Sequence, residues 1–282
     1  MPKTRYYRGH MSFDFKKAAR EILRDHPEIS GRTLFINPAT GETNGSLLAR
    51  LRGRLSDDFC KQLKAAEKAA NDNKTPVADI IRHKDVSAVL LTPERETEAE
   101  ALFDLHRQAA RLIIPRGKNL GKFFAALFDV PQAAEDGAAD AYAAIRLLQR
   151  KGPDRGFLDR LSAARAAEFI FTGDPGRLTS FVIDKALSDN TLAALKPQEV
   201  VATVEKYVAG CAPSRALSEA LVKEFAPLKG KKLDDEGLKL LAGITAASKN
   251  PLATYIGRRA LGEDAATKLP NPSPSTPKGN LP

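Results

Sequence analysis

Apolar positions recur along most of this chain every three or four residues, the spacing that lines one face of an α-helix. The pattern predicts helices near 13–25, 46–71, 76–91, 95–113, 119–129 and 137–151. Six more follow near 156–171, 178–188, 197–209, 214–226, 234–248 and 252–261. Start signals agree with several of these. Ser46 precedes an apolar run, Thr92-Pro93-Glu94 puts proline at a first helical position, and Asp234-Asp235-Glu236 loads a first turn with acid. One segment leaves the helical period. Arg32 to Ile36 is a short β-type run and Asn37 to Gly45 is dense in turn formers, so a small hairpin is expected near 32–45. It is too small to organise the fold. At the far end, Pro270 to Pro282 holds five prolines among Ser, Thr, Asn and Gly, and residues 263–282 are expected to form a disordered tail.

The C-terminal half carries an internal repeat. Pro175, Pro213 and Pro251 stand 38 residues apart, twice in succession. The same shift carries Pro175-Gly176-Arg177 onto Pro213-Ser214-Arg215, Ser180 onto Ser218, Ile183 onto Leu221, Lys185 onto Lys223 and Leu187 onto Phe225. It also carries Leu195 onto Leu233 and Val200 onto Leu238, while the third copy replaces the arginine by Ala253. Proline after a helix end forbids continuation, so each copy reads as a pair of antiparallel helices that must stack on its neighbours to bury its apolar stripe. The fold class expected is therefore mainly α. Residues 137–262 form a helical-repeat, α-solenoid-like half, packed with an N-terminal helical region, 1–130, that carries the small β-hairpin.

Turns such as Gly210-Cys211-Ala212-Pro213, each followed by an apolar helix, and the helix start Leu195-Lys196-Pro197-Gln198-Glu199-Val200 resemble those of octotricopeptide-type helical repeats. The resemblance covers residues 137–262. It implies 38-residue helix pairs and binding of RNA.

Composition bounds the function. Of 282 residues 43% are hydrophobic and 28% charged, enough to bury a core, which excludes wholesale disorder. No apolar stretch approaches the ~20 residues of a membrane span, so no membrane insertion is expected. The basic segment Met1 to Phe15 lacks the apolar core of a secretory signal. Two cysteines, Cys60 and Cys211, do not make a disulfide framework. A cytoplasmic protein follows, with secretion by a non-classical route left open.

The net charge of +9 is unevenly spread. Residues 1–55 carry eleven Lys or Arg against five Asp or Glu, residues 56–105 seven against eleven, and residues 106–160 ten against six. Within the repeat, Arg177 and Arg215 make one step of a cationic ladder, Lys185 and Lys223 a second row, and Arg258 and Arg259 a possible extension. Guanidinium groups suit phosphate or carboxylate recognition because they donate bidentately. Arginine at a turn also caps helix carbonyls, which is the competing explanation. Tyr207 and Tyr255 are the candidate stacking aromatics, although helical spacing makes them core residues. A second basic cluster, Arg116, Lys118 and Lys122, superficially suggests a phosphate loop. Its glycines are one residue too close, Phe123 stands where Ser or Thr must hold magnesium, and no strand precedes it.

Catalytic constellations are thin. His10, His26, His83 and His106 are far apart and in no zinc-binding spacing. No catalytic residue, metal or cofactor is assigned, and the oligomeric state is left open. The reading is a binding protein whose partner is a protein, with RNA the alternative. A bacterial secreted effector, or a transferase with a site these motifs do not disclose, stands behind both.

Overall fold

The computed structural model describes residues 13–37, 42–43, 57–71, 80–83, 86–91, 97–114, 131–150, 155–211 and 215–263. The chain divides into two compact units, Met1–Ile113 and Ile114–Pro282. It is mainly helical, with one small sheet in the first unit.

In the first unit, α1 (Phe15–Asp25) starts where Asp14 accepts the Lys17 amide at 2.9 Å, and buries Phe15, Ala18, Ala19 and Ile22. Pro27 opens the short α2 (Pro27–Ser30). Strand β1 (Thr33–Asn37) follows, then β2 (Glu42–Thr43), α3 (Asp57–Asn71), β3 (Ile80–His83), β4 (Val86–Leu90) and α4 (Glu98–Ile113). Thr97 and Glu100 form a capping box at the start of α4. The Thr97 hydroxyl accepts the Glu100 amide at 3.2 Å, and the Glu100 carboxylate accepts the Thr97 amide at 3.1 Å.

The four strands lie in the order β2-β1-β4-β3. The β1–β2 pair is antiparallel, matching Ile36 with Thr43, as the hairpin expected near 32–45 requires. Two findings correct the sequence reading. The helix expected near 76–91 is replaced by β3 and β4, an antiparallel pair that matches Ile81 with Ala88. In addition, β1 is no isolated hairpin arm. It pairs in parallel with β4, Leu34 beside Ala88 and Ile36 beside Leu90, and so lies inside the sheet. All five β1 residues are buried, as expected of a strand covered on both faces. On one face Leu34, Ile36, Ile81, Ala88 and Leu90 pack with Phe59 and Leu63 of α3. The rest of the helix predicted over 46–71 and the whole of that at 119–129 lie outside the described residues.

The second unit is a helical bundle. Its elements are α5 (Pro131–Leu148), α6 (Arg155–Thr172), a 3₁₀ turn (Pro175–Arg177), α7 (Ser180–Ser188), a 3₁₀ turn (Leu192–Ala194) and α8 (Pro197–Cys211). Then come α9 (Arg215–Glu224), a 3₁₀ turn (Ala226–Leu228), α10 (Asp235–Ala247) and α11 (Pro251–Ala260). Helix α6 lies against α7 and α11, α5 against α7 and α8, and α10 against α11. Positions 136–145 of α5 are buried without interruption, many of them alanines small enough for close helix packing.

The 38-residue spacing is seen in part: α7 and α9 start 35 residues apart and the 3₁₀ turns after them 34 apart. Helix–3₁₀–helix recurs as α7 to α8 and as α9 to α10, and α8 and α10 start 38 residues apart, at Pro197 and Asp235. Pro175 opens a 3₁₀ turn and Pro251 opens α11, while Pro213 lies outside the described residues. The third copy adds a long-range closure. Its helix α11 lies along α6, which precedes all three copies, beyond the neighbour-to-neighbour contacts of an open stack. Gly257 permits close approach of α10, because a Cβ there would fall under 3.0 Å from Oγ1, Cγ2 and Cβ of Thr245.

Candidate functional site

The cations predicted to form a ladder separate into three groups. Arg177, Lys185, Lys223 and Arg258 are exposed. Arg177 ends a 3₁₀ turn with Nε 3.6 Å from Asp174 Oδ2, both side chains about half exposed, which is weak pairing. Lys185 and Lys223 occupy the last turns of α7 and α9, each the one basic residue of that turn. Arg258 is turned aside, its Nε 2.6 Å from Glu263 Oε2. Arg215 begins α9, and Arg116, Lys118 and Lys122 lie outside the described residues.

Arg259 requires a correction. Sequence placed it with Arg258 on the surface, but it is 1% exposed. Adjacent helical residues point about 100° apart, so one of the two can face inward. Arg259 faces α6 and α7. Its Nε donates to Asp184 Oδ2 at 3.1 Å, and Nη2 donates to Asp184 Oδ1 at 3.0 Å and Asp159 Oδ1 at 2.9 Å. Nη2 also reaches the Asp159 carbonyl at 3.1 Å, and Nη1 the Glu263 carbonyl at 2.7 Å. The Tyr255 hydroxyl donates to Asp184, and the Tyr255 ring stacks on Phe181 with centroids 5.4 Å apart. Burial works against the Arg259 charge, but Asp184 and Asp159 outweigh it and hold the guanidinium above its ordinary range. Burial likewise pushes the Asp184 carboxyl up, opposed by Arg259 and by the Tyr255 and Ser162 hydroxyls. This cluster fastens α11 to α6 and α7. With its guanidinium enclosed, it has nothing to offer a ligand.

A second buried pair has the same character. Arg165 Nε lies 3.0 Å from Asp140 Oδ2 and its Nη1 lies 2.9 Å from Glu168 Oε2, while the Thr179 hydroxyl donates to Asp140 at 2.7 Å. Burial opposes the Arg165 charge, yet Asp140 and Glu168 together hold it above its usual value. Sequence reasoning missed Asp140, Asp159 and Asp184. Asp140 sits among alanines, while Asp159 and Asp184 each stand beside a basic residue, Arg160 and Lys185, so nothing local marks the distant arginines as their partners.

The aromatic candidates are interior. Tyr207 and Tyr255 are buried, and the Tyr207 hydroxyl donates to Asp189 at 2.5 Å. No aromatic side chain is exposed among the described residues. Nor do those residues include a group of three or more His, Cys, Asp or Glu placed to hold a metal ion, or a helix long and apolar enough to cross a membrane. Exposed cations on the helical unit include Arg177, Lys185 and Lys223, and the turn before α10 exposes Lys229, Lys231 and Lys232 with Leu233, next to the acids Asp234, Asp235 and Glu236. No family model, curated protein or solved structure matches the chain.

Proposed function

We propose that this chain is a non-enzymatic binding protein whose helical unit engages a protein partner with an acidic surface. The observation that carries this reading is the matched placement of Lys185 and Lys223, 38 residues apart, each exposed in the last turn of its helix. Exposed cations at matched sequence positions offer a negatively charged surface two equivalent points of contact. Single-stranded nucleic acid is gripped by stacking as well as by phosphate contacts. The burial of Tyr207 and Tyr255 favours a protein over RNA. RNA is the second reading, supported by the exposed Arg177, a residue type suited to phosphate.

The test is fluorescence anisotropy with labelled polyglutamate and labelled mixed-sequence single-stranded RNA, each titrated with salt. The expected result is polyglutamate binding that weakens with salt and is lost in Lys185→Glu/Lys223→Glu. Sub-micromolar RNA binding that falls steeply with salt and is lost in Arg177→Glu/Arg215→Glu would transfer the assignment to RNA. Binding of neither probe at low salt would remove these cations as an interaction surface.

A further inference from the structure

Residues 229–236 are the longest unbroken run of exposed positions among those described. Lys229, Gly230, Lys231 and Lys232 precede Leu233, and Asp234, Asp235 and Glu236 follow it. Leu233 is 57% exposed, the one exposed large hydrophobic side chain among the described residues. The run is held in place. Gly230, at φ 77°, donates its amide to the Phe171 carbonyl at the end of α6 at 2.8 Å, and the Lys231 amide donates to Leu228 at 3.0 Å. Asp234 Oδ1 accepts the Gly237 amide at 3.0 Å and caps α10. The Lys229 methylenes lie over Gly173, where a Cβ would stand 3.1 Å from Lys229 Cδ. Although lysines and acids are close in sequence, none of Lys229, Lys231, Lys232, Asp235 and Glu236 makes an ion pair among the described residues.

A two-fold contact between identical chains needs a patch complementary to itself, so that residue i of one copy meets j of the other and the reverse holds. Charge that inverts about a central leucine has this property. We propose that residues 229–236 form a self-association surface whose partner is a second copy of this chain. Set antiparallel, the lysines of each copy face the acids of the other, and the two Leu233 side chains meet at the axis. An anionic membrane, a nucleic acid or an acidic protein meets three carboxylates beside three ammonium groups, so attraction and repulsion offset. A contact of eight residues a side falls below the roughly 20–30 residues a side of a standard stable interface, so the dimer is weak and concentration-dependent. Its outer charges make it salt-sensitive.

The experiment is sedimentation velocity of the full chain from micromolar to millimolar concentration, at low and high salt. Wild type is expected to move from monomer to dimer as concentration rises, with the shift reduced by salt and by Leu233→Ser. Lys231→Glu/Lys232→Glu and Asp235→Lys/Glu236→Lys are each expected to stay monomeric, while their equimolar mixture associates. The variant with all four changes restores the inverted pattern with opposite signs and is expected to dimerise like wild type. Circular dichroism on each variant separates loss of contact from loss of fold. A wild type that remains monomeric at millimolar concentration and low salt overturns the proposal, as does self-association that persists in both charge variants. A monomer that binds phosphatidylserine vesicles through Lys231 and Lys232 replaces it with an anionic ligand.

Discussion

Arg259 and Asp184, 75 residues apart in sequence, share two hydrogen bonds in the interior of the helical unit, from Nε and from Nη2. Removing one partner leaves the other charge buried and uncompensated, which typically costs about 3–5 kcal/mol. Arg259→Met and Asp184→Asn are each expected to lower stability in urea by that order. Arg259→Lys recovers little, because an ammonium cannot span both carboxylate oxygens and Asp159 as the fork does. A loss below ~1 kcal/mol in Arg259→Met would mean that the cluster is marginal to the bundle.

Gly257 and Thr245 set the separation of α10 and α11. Gly257→Ala forces a methyl group into Thr245 and is expected to destabilise by about 1–3 kcal/mol, the usual cost of overpacking. Adding Thr245→Ala removes two of the three crowded atoms, so the double variant should regain part of the loss. Strict additivity of the two changes would show that the helices move apart freely.

Asp189 supplies a pH dependence. The Thr191 hydroxyl, the Tyr207 phenol and the Thr191 amide hold its carboxyl below the ordinary value, outweighing a small opposing effect of burial. A carboxyl depressed on folding stabilises the protein above its unfolded pKa of ~3.9, and that contribution is lost as pH falls through the lower folded value. Asp189→Asn is therefore expected to be less stable than wild type at pH ~7, by about 1 kcal/mol for the weakened Tyr207 contact, with the gap closing as pH falls below the unfolded value and through the lower folded one. Urea midpoints across that pH range measure this. A gap that stays constant with pH would count against a charged Asp189 as the cause.

Phe59 is the largest side chain that α3 contributes to the sheet face. Phe59→Ala is expected to cost about 3–5 kcal/mol and to raise amide exchange in β1 and β4. Unchanged exchange in those strands would show that α3 does not stabilise the sheet.

Much of the helical unit was legible in sequence because its boundaries are written locally. Asp234 before α10 and Pro251 at the start of α11 occupy the positions that capping chemistry assigns them. The segment over 76–91 misled for an equally physical reason. A short apolar run fits helix and strand alike, and the deciding features, β-branched Ile80, Ile81, Val86 and Val89, count fully only beside β1. The parallel partnership of β1 and β4 leaves no local mark, since it joins strands some fifty residues apart. Arg259 was unreadable in the same sense. Its neighbour Arg258 looks identical in sequence, and what draws one inward is a carboxylate on α7 and another on α6.

The closure of α11 onto α6 also sets an order of events during synthesis. Asp184 leaves the ribosome 75 residues ahead of Arg259. At elongation rates of about 5–20 residues per second, that interval is roughly 4–15 s. Throughout it, α6 and α7 can meet but would have to bury Asp184 without its counter-ion, a state the low dielectric of an apolar interior penalises. Full packing of α6 on α7 is therefore expected to wait for α11, which ties completion of the bundle to arrival of a single guanidinium.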